Sequence, residues 1–417
     1  MKGKTMNGST MSENAVLAPY APIRIARRIE GVTYAVRDVV GLARQAEAAG
    51  KRIIGLNIGD PCQFDFRTPE PVVEAIVKAL RDNKTSYSAS EGIPEAREAI
   101  RRDAEERKGI RSIQEVLIGH GASEPIELLL NALLEPGEGV LLPSPGYPLY
   151  SAVMAKLSAR EIYYKLDESN GWQPDPEDIE RRVDAGTRAL VLINPNNPTG
   201  SVTGRATLEA VLEIAARHQL MVLSDEIYDQ MLIDPGTDFV ATAALRDDVP
   251  VATFGGLSKV WLGPGLRMGW TILSGPGEVL APLVDAMGRL VRARLCPSHP
   301  VQWAIKPALE GPNPHIAEVN AKLRRRRDFT VERLNAIPGW SCVPPKGAFY
   351  AFPRFSLGDL KDTELVRDLI LQHGVVVVHG SGFGQDDFNH VRIVFLPPEE
   401  LLAEAYDHIA AYSMGKA

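Results

Sequence analysis

The chain has 417 residues, of which 45% are hydrophobic and 24% are charged, and its formal net charge is −7. This length predicts two or three domains, or one large α/β core with a smaller domain added to it. An acidic chain without a long Lys/Arg tract does not fit a nucleic-acid or anionic-membrane partner. Three scattered cysteines, Cys62, Cys296 and Cys342, are too few for a disulfide framework or a thiolate metal site, so no metal is expected.

The chain opens with "MKGKTMNGSTMSENAV", which lacks the apolar segment of a signal peptide. No later run reaches the roughly 18 apolar residues of a transmembrane helix. We therefore expect a mobile tail over residues 1–18 and a cytoplasmic location, which the low cysteine content also favours.

Apolar, β-branched runs bounded by turn residues predict the strands of one sheet. They are Glu115–Gly119, Gly139–Pro143, Ala189–Asn194, Leu220–Asp225 and Pro250–Gly255. Helical patterns lie between several of them, one with Ser123 as its N-cap and one beginning after Thr207. Strand and helix alternating in this way predict a mostly parallel sheet covered by helices on both faces.

The character of the chain changes after "ALEGPNPH", residues 308–315. A long basic helical pattern over residues 316–337 is followed by the short apolar runs "GAFYAF", "VVVVHG" and "VRIVF". We interpret this part as a smaller α+β domain. The predicted division is a tail over 1–18, a segment over 19–62 that packs with the small domain, a large domain over 63–308 and a small domain over 309–417.

Polar residues follow most of the predicted strands at the edge where parallel sheets collect their ligands. Small residues after the first strand, Gly121 and Ala122 followed by Ser123, bring free N–H groups to a helix N-terminus and suit a phosphate. Asp225 ends the fourth predicted strand, and Asn197 and Lys259 follow the third and the fifth. Each also has an ordinary explanation: a helix cap for Ser123 and for Asp225, a turn residue for Asn197, and a surface loop for Lys259.

Two common nucleotide-binding patterns are missing or misplaced. The chain has no Gly-x-x-x-x-Gly-Lys-[Ser/Thr] motif, and "GSGFGQ" at residues 380–385 fails the dinucleotide glycine spacing. An amine in an apolar site becomes a nucleophile toward carbonyls, and a nearby carboxylate can keep a pyridinium protonated. Lysine, aspartate and a phosphate loop together therefore predict a site for pyridoxal 5′-phosphate.

Several motifs carry a resemblance to a known family: "YSASEGIPEAREAI", "PSPGYPLY", "NPNNPTG", "SDEIY", "GLSKVWLGPGLRMGW" and "KGAFYAFP". In this order the chain resembles the fold-type I, class I/II pyridoxal-phosphate aminotransferases. The stretches "LNIGDP", "FDFRTPE", "GLSKV", "VHGSGFG" and "RIVFLPPEE" are similar to the alanine aminotransferase-like branch. The resemblance implies a large domain with a seven-stranded sheet, a homodimer and a ping-pong reaction between an amino acid and a 2-oxo acid, with L-alanine and 2-oxoglutarate favoured.

The resemblance also implies the roles of residues around the cofactor ring. Lys259 matches the Schiff-base lysine that shuttles the proton, and Asp225 matches the partner of the pyridine nitrogen. Tyr228 and Asn197 match the groups that hydrogen-bond the ring's 3-oxygen. Tyr147 matches the aromatic side chain that stacks on the ring.

Further positions match groups that hold the phosphate and the substrate. The phosphate cradle would comprise Gly121, Ala122, Ser123, Ser258 and Arg267. Gly256 stands where many relatives have a second serine, so one serine hydroxyl that would bind the phosphate is missing. Tyr87 matches a tyrosine that reaches the neighbouring subunit's cofactor, Arg392 matches the clamp for the substrate α-carboxylate, and Gly59 lets backbone approach that carboxylate.

Other readings stay open at this point. Aspartate, aromatic or branched-chain amino donors are not distinguished from alanine, because discrimination at the level of a methylene depends on pocket shape. A β-lyase, decarboxylase or synthase could use the same scaffold, and a cofactor-binding regulator belongs to another class. Without the motif, Arg392 would be read as the exposed face of an alternating strand.

Overall fold

The computed structural model describes residues 22–32, 35–384 and 388–416. The predicted tail, residues 1–18, lies outside the described residues. No helix in the described part of the chain combines the length and apolar character needed to cross a membrane.

Helices and strands alternate through most of the chain. The α-helices are α1 (Ala35–Ala48), α2 (Glu70–Arg81), α3 (Pro94–Glu106), α4 (Ser123–Leu133), α5 (Pro148–Leu157), α6 (Pro176–Arg182), α7 (Arg205–Arg217), α8 (Gly277–Arg294), α9 (His299–Gln302), α10 (Ile305–Glu310), α11 (Pro314–Asn335), α12 (Asp362–Asp368) and α13 (Glu399–Met414). The strands are β1 (Ile54–Gly55), β2 (Ile113–His120), β3 (Gly139–Ser144), β4 (Arg160–Asp167), β5 (Gln173–Pro174), β6 (Thr187–Ile193), β7 (Met221–Asp225), β8 (Val251–Gly256), β9 (Met268–Ser274), β10 (Trp340–Ser341), β11 (Tyr350–Ala351), β12 (Arg354–Phe355), β13 (Val375–Val376), β14 (Val378–His379) and β15 (Val391–Val394). Short 3-10 segments occur at Arg27–Gly31, Pro61–Gln63, Glu168–Asn170, Thr242–Ala244, Pro264–Leu266 and Gly380–Phe383, and a π-helical turn at Leu369–His373.

The main sheet has the strand order β2-β9-β8-β7-β6-β3-β4-β5. Strands β8, β7, β6, β3 and β4 run parallel, whereas β9 is antiparallel to both of its neighbours and β5 is a two-residue antiparallel edge. The predicted mostly parallel sheet is confirmed, and all predicted strands belong to it. Without the short β5, the sheet has the seven strands that the resemblance implied.

The sheet is buried on both faces because helices cover each side. Along β6, Leu190 and Leu192 pack into one hydrophobic cluster, while Val191 and Ile193 pack into the other. Successive side chains of a strand point to opposite faces, so a run without polar alternation is what a doubly covered sheet requires. Because β8, β7, β6, β3 and β4 run in the same direction, their carboxyl ends meet at one edge of the sheet.

Two predicted helix starts are wrong. Ser123 is the first residue of α4 and makes no side-chain capping bond, because Ala122 already has helical backbone angles. The turn before the helix is made by Gly121, whose φ is +70° and which lies two residues before Ser123. Helix α7 begins at Arg205, before Thr207, with Gly204 at its N-cap.

The C-terminal part forms a smaller α+β unit that contains the β11-β15-β14 sheet and the helices α11, α12 and α13. The N-terminal segment joins it, because β1 pairs in parallel with β13 through Ile54 and Val375. The basic helix predicted at 316–337 is α11. We propose that the domains divide as expected from the sequence, with the described part of residues 19–62 packing with the small domain.

Candidate active site

A cavity of about 590 Å³ lies at the carboxyl edge of the main sheet, between it and the small α+β unit. Most of the residues singled out from the sequence line this cavity: Gly59, Ala122, Ser123, Tyr147, Asn197, Asp225, Tyr228, Ser258, Lys259, Arg267 and Arg392. Gly121 lies directly behind Arg267. Tyr87 does not reach the cavity of its own chain, since it is 82% exposed elsewhere on the surface.

Lys259 occupies the turn that follows β8 and points into the cavity, unlike a lysine of a surface loop. Its ammonium donates a hydrogen bond to the Gly59 carbonyl at 2.8 Å. Burial lowers the pKa of Lys259 to about 8, with Arg392 and Arg267 acting in the same direction and Asp60 opposing them. About one tenth of the amine is therefore neutral at pH 7, far more than for an ordinary lysine.

Asp225 ends β7 and is 4% exposed. Its carboxylate accepts hydrogen bonds from the Tyr150 hydroxyl and the Ile227 N–H, both at 3.3 Å. Burial raises the pKa of Asp225 to about 6. Residues 227–230 form turns rather than a helix, so the helix-cap explanation for Asp225 does not apply. A buried carboxylate held by two long hydrogen bonds can accept a further, charged donor.

The N-terminus of α4 and Arg267 form an anion-binding corner. The guanidinium of Arg267 donates to the Pro264 carbonyl at 3.0 Å and crosses Gly121, where a Cβ atom would lie 2.5 Å from it. Free N–H groups at a helix start, together with one fixed guanidinium, suit a phosphate. Ser258 also lines the cavity.

The presence of glycine at position 256, where many relatives have serine, has a steric explanation. A Cβ atom there would lie 2.7 Å from the Met268 carbonyl oxygen and 3.0 Å from the Gly269 Cα, both part of the adjacent strand β9. Backbone cannot yield as a flexible side chain can, so a serine would not fit without moving β9.

Arg392 lies on β15 and is 2% exposed, so the exposed-strand interpretation is wrong. Its guanidinium donates to the Asn57 carbonyl and, at 3.2 Å, to the Asn197 side-chain oxygen. The rings of Tyr350 and Phe383 lie 4.7 and 4.8 Å from its Cζ. A guanidinium fixed in this way is preorganised to bind a carboxylate.

Sequence reasoning assigned no role to Tyr150 or Tyr350. Both belong to motifs that carry the resemblance, but only the fold brings Tyr150 against Asp225 and Tyr350 against Tyr228, whose hydroxyl lies 2.8 Å away. Asp60 also lines the cavity beside Lys259.

The donor set fits pyridoxal 5′-phosphate. The cavity presents an amine with a lowered pKa, a buried carboxylate with room for a cationic donor, an aromatic side chain at Tyr147 and an anion-binding corner. These groups correspond to the aldehyde, ring nitrogen, ring face and phosphate of that cofactor. The fold and the site together define a pyridoxal-phosphate enzyme.

The chain belongs to the family "Aminotransferase class I and II", whose model matches residues 51–409, and it is a pyridoxal-phosphate-dependent aminotransferase. It is 39% identical over 394 residues to the alanine aminotransferase of Mycobacterium tuberculosis, covering 92% of this chain and 91% of that protein. It is 37% identical over 388 residues to the glutamate-pyruvate aminotransferase of Escherichia coli, covering 90% and 94%. The solved alanine aminotransferase of Pyrococcus furiosus superposes with a TM-score of 0.91 at 40% identity, covering 94% of this chain and 100% of that one.

Proposed function

We propose that this enzyme moves the amino group between L-alanine and 2-oxoglutarate by a ping-pong mechanism. The names of the similar proteins, alanine aminotransferase and glutamate-pyruvate aminotransferase, support the choice of substrates. One observation carries the chemistry: Lys259, Asp225 and Arg392 face a single cavity from three separate elements.

The amino acid is held by its carboxylate. In the proposal, Arg392 binds the α-carboxylate through two parallel N–H donors, replacing part of its present bonding to Asn57 and Asn197. Gly59 lets backbone approach the carboxylate from the other side. The substrate Cα is thereby presented to Lys259, whose ammonium lies against the Gly59 carbonyl.

The chemistry that pyridoxal phosphate would supply when bound is an acceptor for the amino group and a ring that delocalises negative charge at Cα. The Lys259 amine would move the proton between the substrate Cα and the C4′ atom of the cofactor. Taking up the proton requires the neutral amine, which the lowered pKa of Lys259 makes available. The Asp225 carboxylate holds a proton on the ring nitrogen. Tyr228 and Asn197 donate to the 3-oxygen, and Tyr147 fixes the tilt of the ring by stacking.

The phosphate is assigned to Gly121, Ala122, Ser123, Ser258 and Arg267. Tyr87 is assigned to the cofactor of a second subunit, since its exposed side chain is available to a partner. The proposal therefore includes a homodimer with shared sites. It also places the protein in the cytoplasm, because its three cysteines are free thiols, as a reducing compartment permits.

The test is an assay of pyruvate formation from L-alanine and 2-oxoglutarate with the purified, cofactor-loaded protein. Aspartate, aromatic and branched-chain donors are compared at equal concentration by the glutamate that each forms from 2-oxoglutarate, and the visible absorbance is followed during addition of amino acid. Lys259→Ala should abolish turnover, whereas Lys306→Ala, a change at a lysine whose side chain is 57% exposed, should not. An active Lys259→Ala protein contradicts the mechanism. A faster reaction with another donor contradicts the substrate choice, and an absorbance unaffected by any amino acid contradicts the proposed reaction at Lys259.

A further inference from the structure

Tyr350 belongs to β11, which pairs in antiparallel fashion with β15, the strand that carries Arg392. Its side chain is 2% exposed and lines the active-site cavity. Buried tyrosines place their hydroxyl against a polar partner, so the direction of this phenol is informative.

The Tyr350 hydroxyl reaches Tyr228. Their oxygens lie 2.8 Å apart, and the two rings meet edge to face at an interplanar angle of 87°. Burial raises the pKa of Tyr228 well above its ordinary value, so this phenol stays protonated. At 2.8 Å the two hydroxyls form a hydrogen bond in which one donates to the other. Since the proposed function directs the Tyr228 O–H toward the cofactor, Tyr350 is the donor within the pair.

The ring of Tyr350 performs a separate task. Its centroid lies 4.7 Å from the Arg392 Cζ, within the range of a cation–π contact. Gly59 is the third neighbour: a Cβ atom there would lie 2.2 Å from the Tyr350 hydroxyl oxygen. Backbone packing at Gly59 thus keeps Tyr350 in this position.

We propose that Tyr350 is a positioning residue that serves both halves of the site, orienting the Tyr228 hydroxyl through its phenol and the Arg392 guanidinium through its ring. The inference rests on the proposed function, in which Tyr228 faces the cofactor and Arg392 binds carboxylate. A hydrogen bond donated to Tyr228 polarises its O–H and strengthens the bond that Tyr228 donates onward. The ring restricts the guanidinium to the orientation that accepts a carboxylate.

The test uses Tyr350→Phe and Tyr350→Leu in the cofactor-loaded protein, with two readouts. The first is the pH midpoint of the visible absorption change of the bound cofactor, and the second is the dissociation constant of propionate, an unreactive carboxylate. Tyr350→Phe should raise the pH midpoint by about half a unit or more, because the 3-oxygen anion loses stabilisation. It should change propionate affinity less than about twofold, since the ring remains.

Tyr350→Leu should raise the pH midpoint similarly and also weaken propionate binding about tenfold, because the ring is lost as well. If the Tyr350→Leu protein does not fold, Tyr350→Met is used in its place. Tyr406→Phe is the matched control, because Tyr406 is also buried and its hydroxyl bonds to Thr330 at 2.8 Å. This control should leave both readouts unchanged.

An unshifted pH midpoint in Tyr350→Phe overturns the link to Tyr228. Unchanged propionate affinity in the folded leucine or methionine variant overturns the link to Arg392. A shift of equal size in Tyr406→Phe shows that loss of any buried hydroxyl acts in this way and overturns the assignment to Tyr350. Failure of the proposed function looks different, because the unmodified protein would then show no absorption change with L-alanine.

Discussion

Replacing Asp225 by asparagine removes a charge with almost no change in shape, and it should stabilise the cofactor-free protein at alkaline pH. The pKa of this carboxyl is raised from 3.8 to about 6, chiefly by burial. Because the folded-state value exceeds the unfolded one, the carboxyl favours folding most below about pH 4. That contribution is lost as the pH rises through about 6.

The magnitude follows from the shift. A change from 3.8 to about 6, at about 1.36 kcal/mol per unit, means that the ionised carboxylate costs about 3 kcal/mol of stability above pH 6. The asparagine avoids this cost, but its N–H groups lack a partner, which costs about 1 kcal/mol. We therefore expect the cofactor-free variant to gain about 2 kcal/mol at pH 8 and nothing near pH 4.5, as measured by urea-induced unfolding.

Asp229 provides the matched control, because it is equally buried and lies four residues further along the same segment. Its ion pairs with Lys108 at 2.8 Å and Arg107 at 2.9 Å outweigh burial, so its pKa is lowered. Asp229→Asn should destabilise the protein by about 2 kcal/mol at pH 8, because Lys108 and Arg107 each lose one of two carboxylate partners and keep only Glu226 and Asp103. If Asp225→Asn is also destabilising at pH 8, the carboxylate of Asp225 is satisfied without the cofactor and this reasoning is wrong.

The remaining predictions concern the other groups of the site. Arg392→Lys should raise the KM for both the amino acid and the oxo acid about tenfold or more in steady-state kinetics, because an ammonium cannot form two parallel bonds; an effect on one substrate alone contradicts the carboxylate role. Gly121→Ala should weaken pyridoxal phosphate binding about tenfold in a fluorescence titration, because φ is +70° and the new Cβ would lie 2.5 Å from Arg267. Gly265→Ala, at an open position of the same cavity, should bind normally. Mixing inactive Lys259→Ala with an impaired Tyr87→Ala variant should raise activity if Tyr87 serves the other subunit; no rise in confirmed heterodimers places it elsewhere.

Local sequence pattern predicted the sheet and the polar residues at its edge, because both depend on short-range rules. Asp225 and Lys259 could be identified because Asp225 ends a buried strand and Lys259 follows one, at the edge of the sheet where ligands bind. Strand β4 escaped this reasoning because polar residues interrupt "REIYYKLD", and β9 because it follows directly on a glycine-rich turn. The N-cap predicted at Ser123 was wrong because Gly121 makes the turn two residues earlier.

Contacts between distant segments were beyond prediction. Tyr150 lies 75 positions from Asp225, Tyr350 lies 122 from Tyr228, and the Gly59 carbonyl lies 200 from Lys259. The contact of Tyr150 with Asp225 is set by how α5 packs on the main sheet. The other two contacts are set by how the small α+β unit packs against that sheet. Motif letters alone marked Tyr150 and Tyr350 as part of the family pattern without indicating what they contact.

The pKa values of Lys259 and Asp225 are shifted in opposite directions in one cavity, and these shifts connect the stability of the protein to cofactor binding. Burial lowers the pKa of Lys259 to about 8 and raises that of Asp225 to about 6, so near pH 7 both groups are mostly charged in surroundings that disfavour charge. Each is relieved by a different end of the proposed ligand, the amine by covalent attachment and the carboxylate by a ring N–H. Apolar substitutions at either position would remove the cost and the function together. A ligand that satisfies both groups binds the folded state alone, and its binding free energy therefore adds directly to the stability of the protein.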